Sequence, residues 1–277
     1  MPDLVADDRE LLALLSLLET ESESTVSIML EQMRSFSDAT LERLAHLVDV
    51  NAPVQRYVNL VLAEHQAPLM QAALLDWRGS GMDLEEGMLL VARTGYPTVD
   101  IESIGRQLDD LAARIREGMP HENPEEMLAH MTRVLIEDEG FIGNTADYYE
   151  PDNTYINRVL DRRTGLPIAM AALYVMLGRR LGMSFAGIAL PAHFIAAFLP
   201  AGRTIYFDPF NGGTILSMNE VVQIVQRAGQ TFNPSHLLPA SPLLILQRMF
   251  ANLQKAYEIR EELERVALVR QYRSVLN

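Results

Sequence analysis

The sequence predicts an α+β fold, and three observations predict it. Apolar residues recur at three- and four-residue spacing from the N-terminus to about Glu137, the pattern of amphipathic helices. The stretch Leu166–Met183 is apolar nearly all round until Arg179-Arg180, as a helix in the middle of a domain is. The runs "SFAGIAL", "HFIAAFL" and "TIYFDPF" then read as successive strands, an antiparallel meander rather than alternating βα units.

Up to Trp77 the helical segments are "LLALLSLL", "TVSIMLEQM", "TLERLAHLV" and "VQRYVNLVLAEH", separated by polar joints such as "ETESES" and "SFSD". They suggest stacked, HEAT-like hairpins over residues 1–78, and "RGSGMD" at 78–83 is the candidate linker that follows. Asp83 with Glu86 forms a capping-box pattern that opens a helix, and Tyr96-Pro97 stops it. Asp100 caps the next helix, with Ile101, Ile104, Leu108, Leu111 and Ile115 on one stripe. Asn123, Pro124, Glu125 and Glu126 make a third start: a cap, a proline at the first position, then acids at the positive end of the dipole. Helical pattern returns at Met218–Ala228, and after the "NPSHLLPASP" break one or two helices run from Leu243 onward. Three regions follow: helices over 1–78, a mixed domain over 83–240, and helices over 241–277.

Composition narrows the function. The formal charge is −14, from 37 acidic and 23 basic residues, which argues against sequence-independent nucleic-acid binding and against docking on anionic lipid. The chain has no cysteine, so disulfides, thiolate metal sites and a thiol nucleophile are excluded. The opening "MPDLVADDRE" lacks a basic segment followed by an apolar run, and no stretch is long enough to span a bilayer, so a cytoplasmic protein is expected. No cofactor is expected. No second histidine stands at ligand spacing from the ones present, so no metal is expected either.

The chemistry-bearing residues fall in two stretches. "EGFIGNTADYYEPDNTYINRVLDRRTG" reads as an ordered loop anchored by Phe141, Tyr148, Tyr149 and Tyr155. Local side-chain capping accounts for Asn144, Asp152 and Asn153, whereas Asn157 is a candidate cleft residue. Arg162 and Arg163 either tie the loop to nearby acids or steady an anion. In "LPAHFIAAFLPAGRTIYFDPFNGG", His193 and Asp208 interrupt two apolar runs. A turn around "LPAG" places them directly opposite, and a turn centred on Ala201-Gly202 pairs Asp208 with Ile195 and His193 with Phe210. In both registers period-two alternation puts the two side chains on one face, within reach of a hydrogen bond. Such a pair is either a satisfied buried histidine or a working dyad.

"NRVLDRRTGLPIAMAALYVMLGRRLGM", "LPAHFIAAF" and "YFDPFNGG" together resemble the SirB-type branch of the transglutaminase-like superfamily, and "DLEEGMLLVARTGYPTVD" resembles its helical lead-in. The C-terminal "RMFANLQKAYEIREELERVALVRQYRSVL" is similar to the start of a tetratricopeptide-type tail. The resemblance implies a transglutaminase-like core, a buried central helix on an antiparallel sheet. It also implies that His193 and Asp208 stand at the superfamily's base and acid positions, and that the thiol position falls at Pro167 or Ile168, where the branch lacks its cysteine. A non-catalytic protein- or peptide-binding module is therefore expected, with Asn157, Arg162, Arg163, Pro167 and Asn211 as binding candidates. The alternative is a hydrolase or acyl-transfer enzyme working through a His193/Asp208 dyad without a thiol.

Overall fold

The computed structural model describes residues 8–20, 23–49 and 52–277. The N-terminal segment "MPDLVAD" and two residues of the "ETESES" joint lie outside the described residues. Helices α1 (Asp8–Thr20), α2 (Glu23–Arg34) and α3 (Asp38–Leu47) pack with the start of α4 (Gln55–Gly79) around Leu41, Leu44, Val58 and Leu62. The second half of α4 carries Ala67, Leu74 and Trp77 into a different, larger core. The two cores thus meet inside α4, and Ser80–Asp83 is the short turn between α4 and α5 (Leu84–Gly95). Trp77 is buried there, its indole N–H donating to the Asp83 carbonyl at 2.7 Å.

The N-caps form where the sequence places them, although at Asp83 only the aspartate half of the capping box is made. Asp83 accepts from the Glu86 N–H at the start of α5, Asp100 from Ser103 at the start of α6 (Ile101–Arg116), and Asn123 from Glu125 at the start of α7 (Pro124–Arg133). Ile104, Leu108, Leu111 and Ile115 are buried, with Ile101 at the edge of the stripe. A π-turn over Val134–Asp138 ends α7, and a two-residue parallel pair follows, β1 (Ile142–Gly143) with β2 (Thr164–Gly165). Between them lies α8 (Ile156–Arg162).

Helix α9 (Pro167–Leu181) is the buried central helix. Pro167 suits its first position, where no intrahelical N–H is needed. Gly182 ends it at φ +71, donating back to the Gly178 and Arg179 carbonyls, a conformation that a side chain would strain. The meander is β3 (Phe185–Ile188), β4 (Ile195–Phe198), β5 (Ile205–Asp208) and β6 (Thr214–Leu216), antiparallel and in that order. Alternation sends Phe198 and Phe207 to α9, where Tyr174 meets Phe207 edge-on. Ile195 and Ala197 go to the other face, against Val221 and Val225 of α10 (Met218–Arg227). The sheet is therefore a layer between two helices. Helices α11 (Pro242–Ile259) and α12 (Leu263–Leu276) pack on each other and against α5 and α4, so the C-terminal pair buries its apolar faces on the body of the same chain.

Candidate functional site

Strand β4 pairs Ala196 with Phe207 and Phe198 with Ile205, the register with the turn centred on Ala201-Gly202. His193 precedes β4 rather than lying within it. Asp208 ends β5 on the same face as Tyr206, toward α10. The two meet: His193 Nε2 lies 2.7 Å from Asp208 Oδ2. An ionised carboxylate has no hydrogen to give, so Nε2 carries the proton and Nδ1 is left for another partner.

The Asp208 carboxylate is saturated. Oδ2 also accepts from the Asn211 side-chain amide at 2.7 Å, and Oδ1 accepts from the Phe210 and Asn211 backbone N–H groups at 3.1 and 3.2 Å. Burial alone would push its pKa up, but the His193 hydrogen bond and charge and the Asn211 contacts outweigh it and hold the group below its ordinary value. The "NGG" turn makes this possible: Gly213, at φ +66, donates its N–H to the Asp208 carbonyl and reverses the chain into β6.

His193, Asp208 and Asn211 border an open cavity of about 550 Å³ whose far wall is α10, through Glu220, Gln223 and Arg227. The start of α9 does not line it. Of the candidate binding residues, the structure brings only Asn211 to the pair, and the others lie elsewhere. Pro167 is buried at the head of α9. Arg162 reaches Asp152 at 3.7 Å. Arg163 donates to the Leu160 carbonyl at 2.6 Å and lies over the Phe141 ring. Both arginines tie the loop down. Asn157 is buried with its Oδ1 unpartnered, but it borders a separate cavity beside Tyr96 and Asp161. Local capping does account for Asn144, which accepts from the Asp147 N–H, and for buried Asn153, which donates to the Asp147 carbonyl. Phe141 and Tyr155 anchor the loop as expected, whereas Tyr148 and Tyr149 are exposed and Tyr148 meets Phe210 edge-on.

One positioning residue escaped the sequence reading. Arg248 of α11 donates to the Leu190 and His193 carbonyls, each at 3.1 Å, with its guanidinium over Phe194. It pins the turn that presents His193, in which Ala192 takes a φ of +56. Burial lowers its pKa from the ordinary arginine value. It stands 55 residues from His193, and no local pattern marks it. Among the described residues, no group of three histidine, aspartate or glutamate side chains is placed to hold a metal ion, and no helix is long and apolar enough to cross a membrane.

A central helix backed by a meander, with a His–Asp pair at the strand ends, is the arrangement the resemblance implied. Residues 102–251 match the family model of the transglutaminase-like superfamily. A UPF0162 protein of Xylella fastidiosa is 31% identical over 187 residues, 65% of this chain and 66% of that one, just under two thirds of its length. A UPF0162 protein of Vibrio cholerae is 30% identical over 199 residues, 70% of this chain and 73% of that one. Human F-box only protein 21 is 34% identical over 143 residues, 49% of this chain and 22% of that protein. No solved structure matches. The chain belongs to the transglutaminase-like superfamily and, with the Vibrio cholerae protein, to the UPF0162 family.

Proposed function

We propose that this is a non-catalytic, SirB-type member of the superfamily that binds an extended peptide segment of a partner protein by adding it to β6. The observation that carries the reading is the unpaired outer edge of β6. At the opposite edge of the sheet, β3 is covered by the chain itself: Ile188 bridges to Pro239, and Ala240 donates to the Gly187 carbonyl at 2.8 Å. Among the described residues nothing pairs with the outer side of β6, and Ile215 is 46% exposed. An open edge of this kind is a template for another strand.

The two faces of that edge differ. Thr214 and Leu216 border the His193 cavity, while Gly213 and Ile215 border a groove of about 220 Å³ formed with Leu128, Thr132 and Ile136. Alternate side chains of an added strand would enter a polar pocket and an apolar one, which is how strand addition acquires specificity. Neither Pro167 nor Ile168, where the resemblance places the thiol position, supplies a nucleophile, so His193 serves here as a hydrogen-bonding wall. The match of this unit to 22% of a much longer human protein fits a module that works by docking.

Selection from a displayed peptide library tests the reading. Wild type is expected to enrich sequences with alternating side-chain preferences, and both Ile215→Lys and His193→Ala to lose them while melting cooperatively. Enrichment indifferent to Ile215→Lys would overturn it. The partly buried imidazole with Nδ1 unclaimed favours a second reading, a hydrolase in which His193 activates water. Hydrolysis of a peptide and ester panel at equal rates by wild type and His193→Ala would exclude that chemistry.

A further inference from the structure

A second cavity, of about 380 Å³, lies away from His193, between the first turn of α4, the segment from Glu150 to Arg158, and the turn joining α11 to α12. We propose that it binds the oxyanion group, phosphate or carboxylate, of a small polar molecule through Arg265 and Arg56.

Arg265 lines this cavity and is 6% exposed, yet no carboxylate lies within ion-pair distance of it among the described residues. Its Nη2 donates to the Arg56 carbonyl at 3.0 Å, and its Nη1 is buried with no partner. Gln55, 5% exposed on the same wall, gives its amide N–H to Asn59 and leaves Oε1 without a partner. A buried guanidinium in this state is costly, because it has lost water and gained no counter-charge. Two of the acids on this wall are engaged elsewhere. Asp152 is taken by Arg158 and by the Tyr96 hydroxyl. Glu150 is taken by Arg260. Arg56 stands exposed at the mouth, where its side chain donates to the Tyr57 hydroxyl and lies over the Tyr57 ring.

The backbone adds to the same field. The 25-residue helix α4 and the 14-residue α12 both begin at this wall, and neither has a side-chain cap on its first turn. Two positive helix ends and two arginines that form no ion pair among the described residues converge where an anion would satisfy all of them. The remaining acid, Glu262, is held above its ordinary pKa by burial, against the pull of Arg265, Arg56 and Arg260, and its charge is the one on this wall, among the described residues, left to oppose an anion. A cavity of this volume suits a small molecule.

Thermal melts of the full chain test the proposal, with inorganic phosphate or acetate titrated in while chloride holds ionic strength constant. A saturable rise in Tm with phosphate or acetate, absent with chloride alone, is expected, and the stronger of the two identifies the ligand as phosphate ester or carboxylic acid. Arg56→Gln, a change at an exposed position, should weaken the apparent affinity about tenfold. Glu262→Gln should tighten it. Arg265→Met should abolish the response and, without anion, melt at or above wild type, because an uncompensated buried charge is gone. No saturable response to either anion, or a response unchanged in Arg56→Gln, would overturn the proposal.

Discussion

The two cavities use the same kinds of side chain and leave them in opposite states. At His193 the central charge is saturated: Asp208 receives an imidazole, an amide and two backbone N–H groups, and the turn around it is braced by Arg248. At Arg265 the central charge is stranded, with one backbone carbonyl for a partner and a neighbouring glutamine oxygen unmet. A saturated group holds a shape, because each bond it makes would have to break before the loop could move. A stranded group keeps binding capacity in reserve at a cost in stability. The first region lies within the residues matched to the superfamily, while Arg56 and Arg265 lie on either side of them. The shared scaffold thus carries the settled site, and the flanking helices carry the unsettled one.

The sharpest way to break this contrast is to delete each central charge. Asp208→Ala strands the Asn211 amide and two backbone N–H groups at a position only 3% exposed, and should cost about 3 kcal/mol or more in urea unfolding. Arg265→Met should cost nothing. Equal losses from both changes would mean that the two charges are satisfied alike, and the comparison would fail.

Much of the scaffold was legible because its signals are local. Asp83, Asp100 and Asn123 cap because short acceptors precede amphipathic runs, and α9 is central because its polar face is nearly absent. The His193–Asp208 contact followed from strand alternation, although the "LPAGR" turn allowed two registers and the sequence alone left both open. What stayed hidden is made by contacts between distant segments. Arg248 reaches His193 across 55 residues and Arg265 reaches Arg56 across 209, and spacing patterns carry no trace of either. The β1–β2 pair is two residues long, too short to show a period. Asn157, the cleft candidate, borders a cavity other than that of His193, because α8 places it beside Tyr96 and Asp161 rather than by the sheet.

pH sharpens the comparison, since the two carboxylates are shifted in opposite directions. Asp208 sits below its ordinary 3.8, so its native contacts stabilise the fold above about pH 4 and fade as pH falls through the folded value. The stability gap between wild type and Asp208→Asn should therefore be widest near neutrality and close in acid. Glu262 sits above its ordinary 4.5, so the folded chain holds that proton more tightly than the unfolded one and is penalised once pH rises past the folded value. Glu262→Gln should be more stable than wild type at pH 7 and indistinguishable from it near pH 4. Urea midpoints collected across that range decide both, and a common sign for the two variants would contradict the assignment.

The smallest expected effect separates the cavities functionally. Ser217 caps α10 by accepting from the Glu220 N–H at 3.3 Å, and the Glu220 carboxylate returns a bond to the Ser217 N–H at 2.7 Å. Ser217→Ala should lower global stability by about 1 kcal/mol. Its local consequence is more informative, because the first turn of α10 forms one wall of the His193 cavity and follows directly on β6. Fraying that turn should weaken peptide capture beyond what the change in Tm accounts for. The anion response of the Arg265 cavity should stay at the wild-type level, since no residue of α10 borders it. If both responses fall together, the variant acts through global stability, and the two sites have not been shown to be independent.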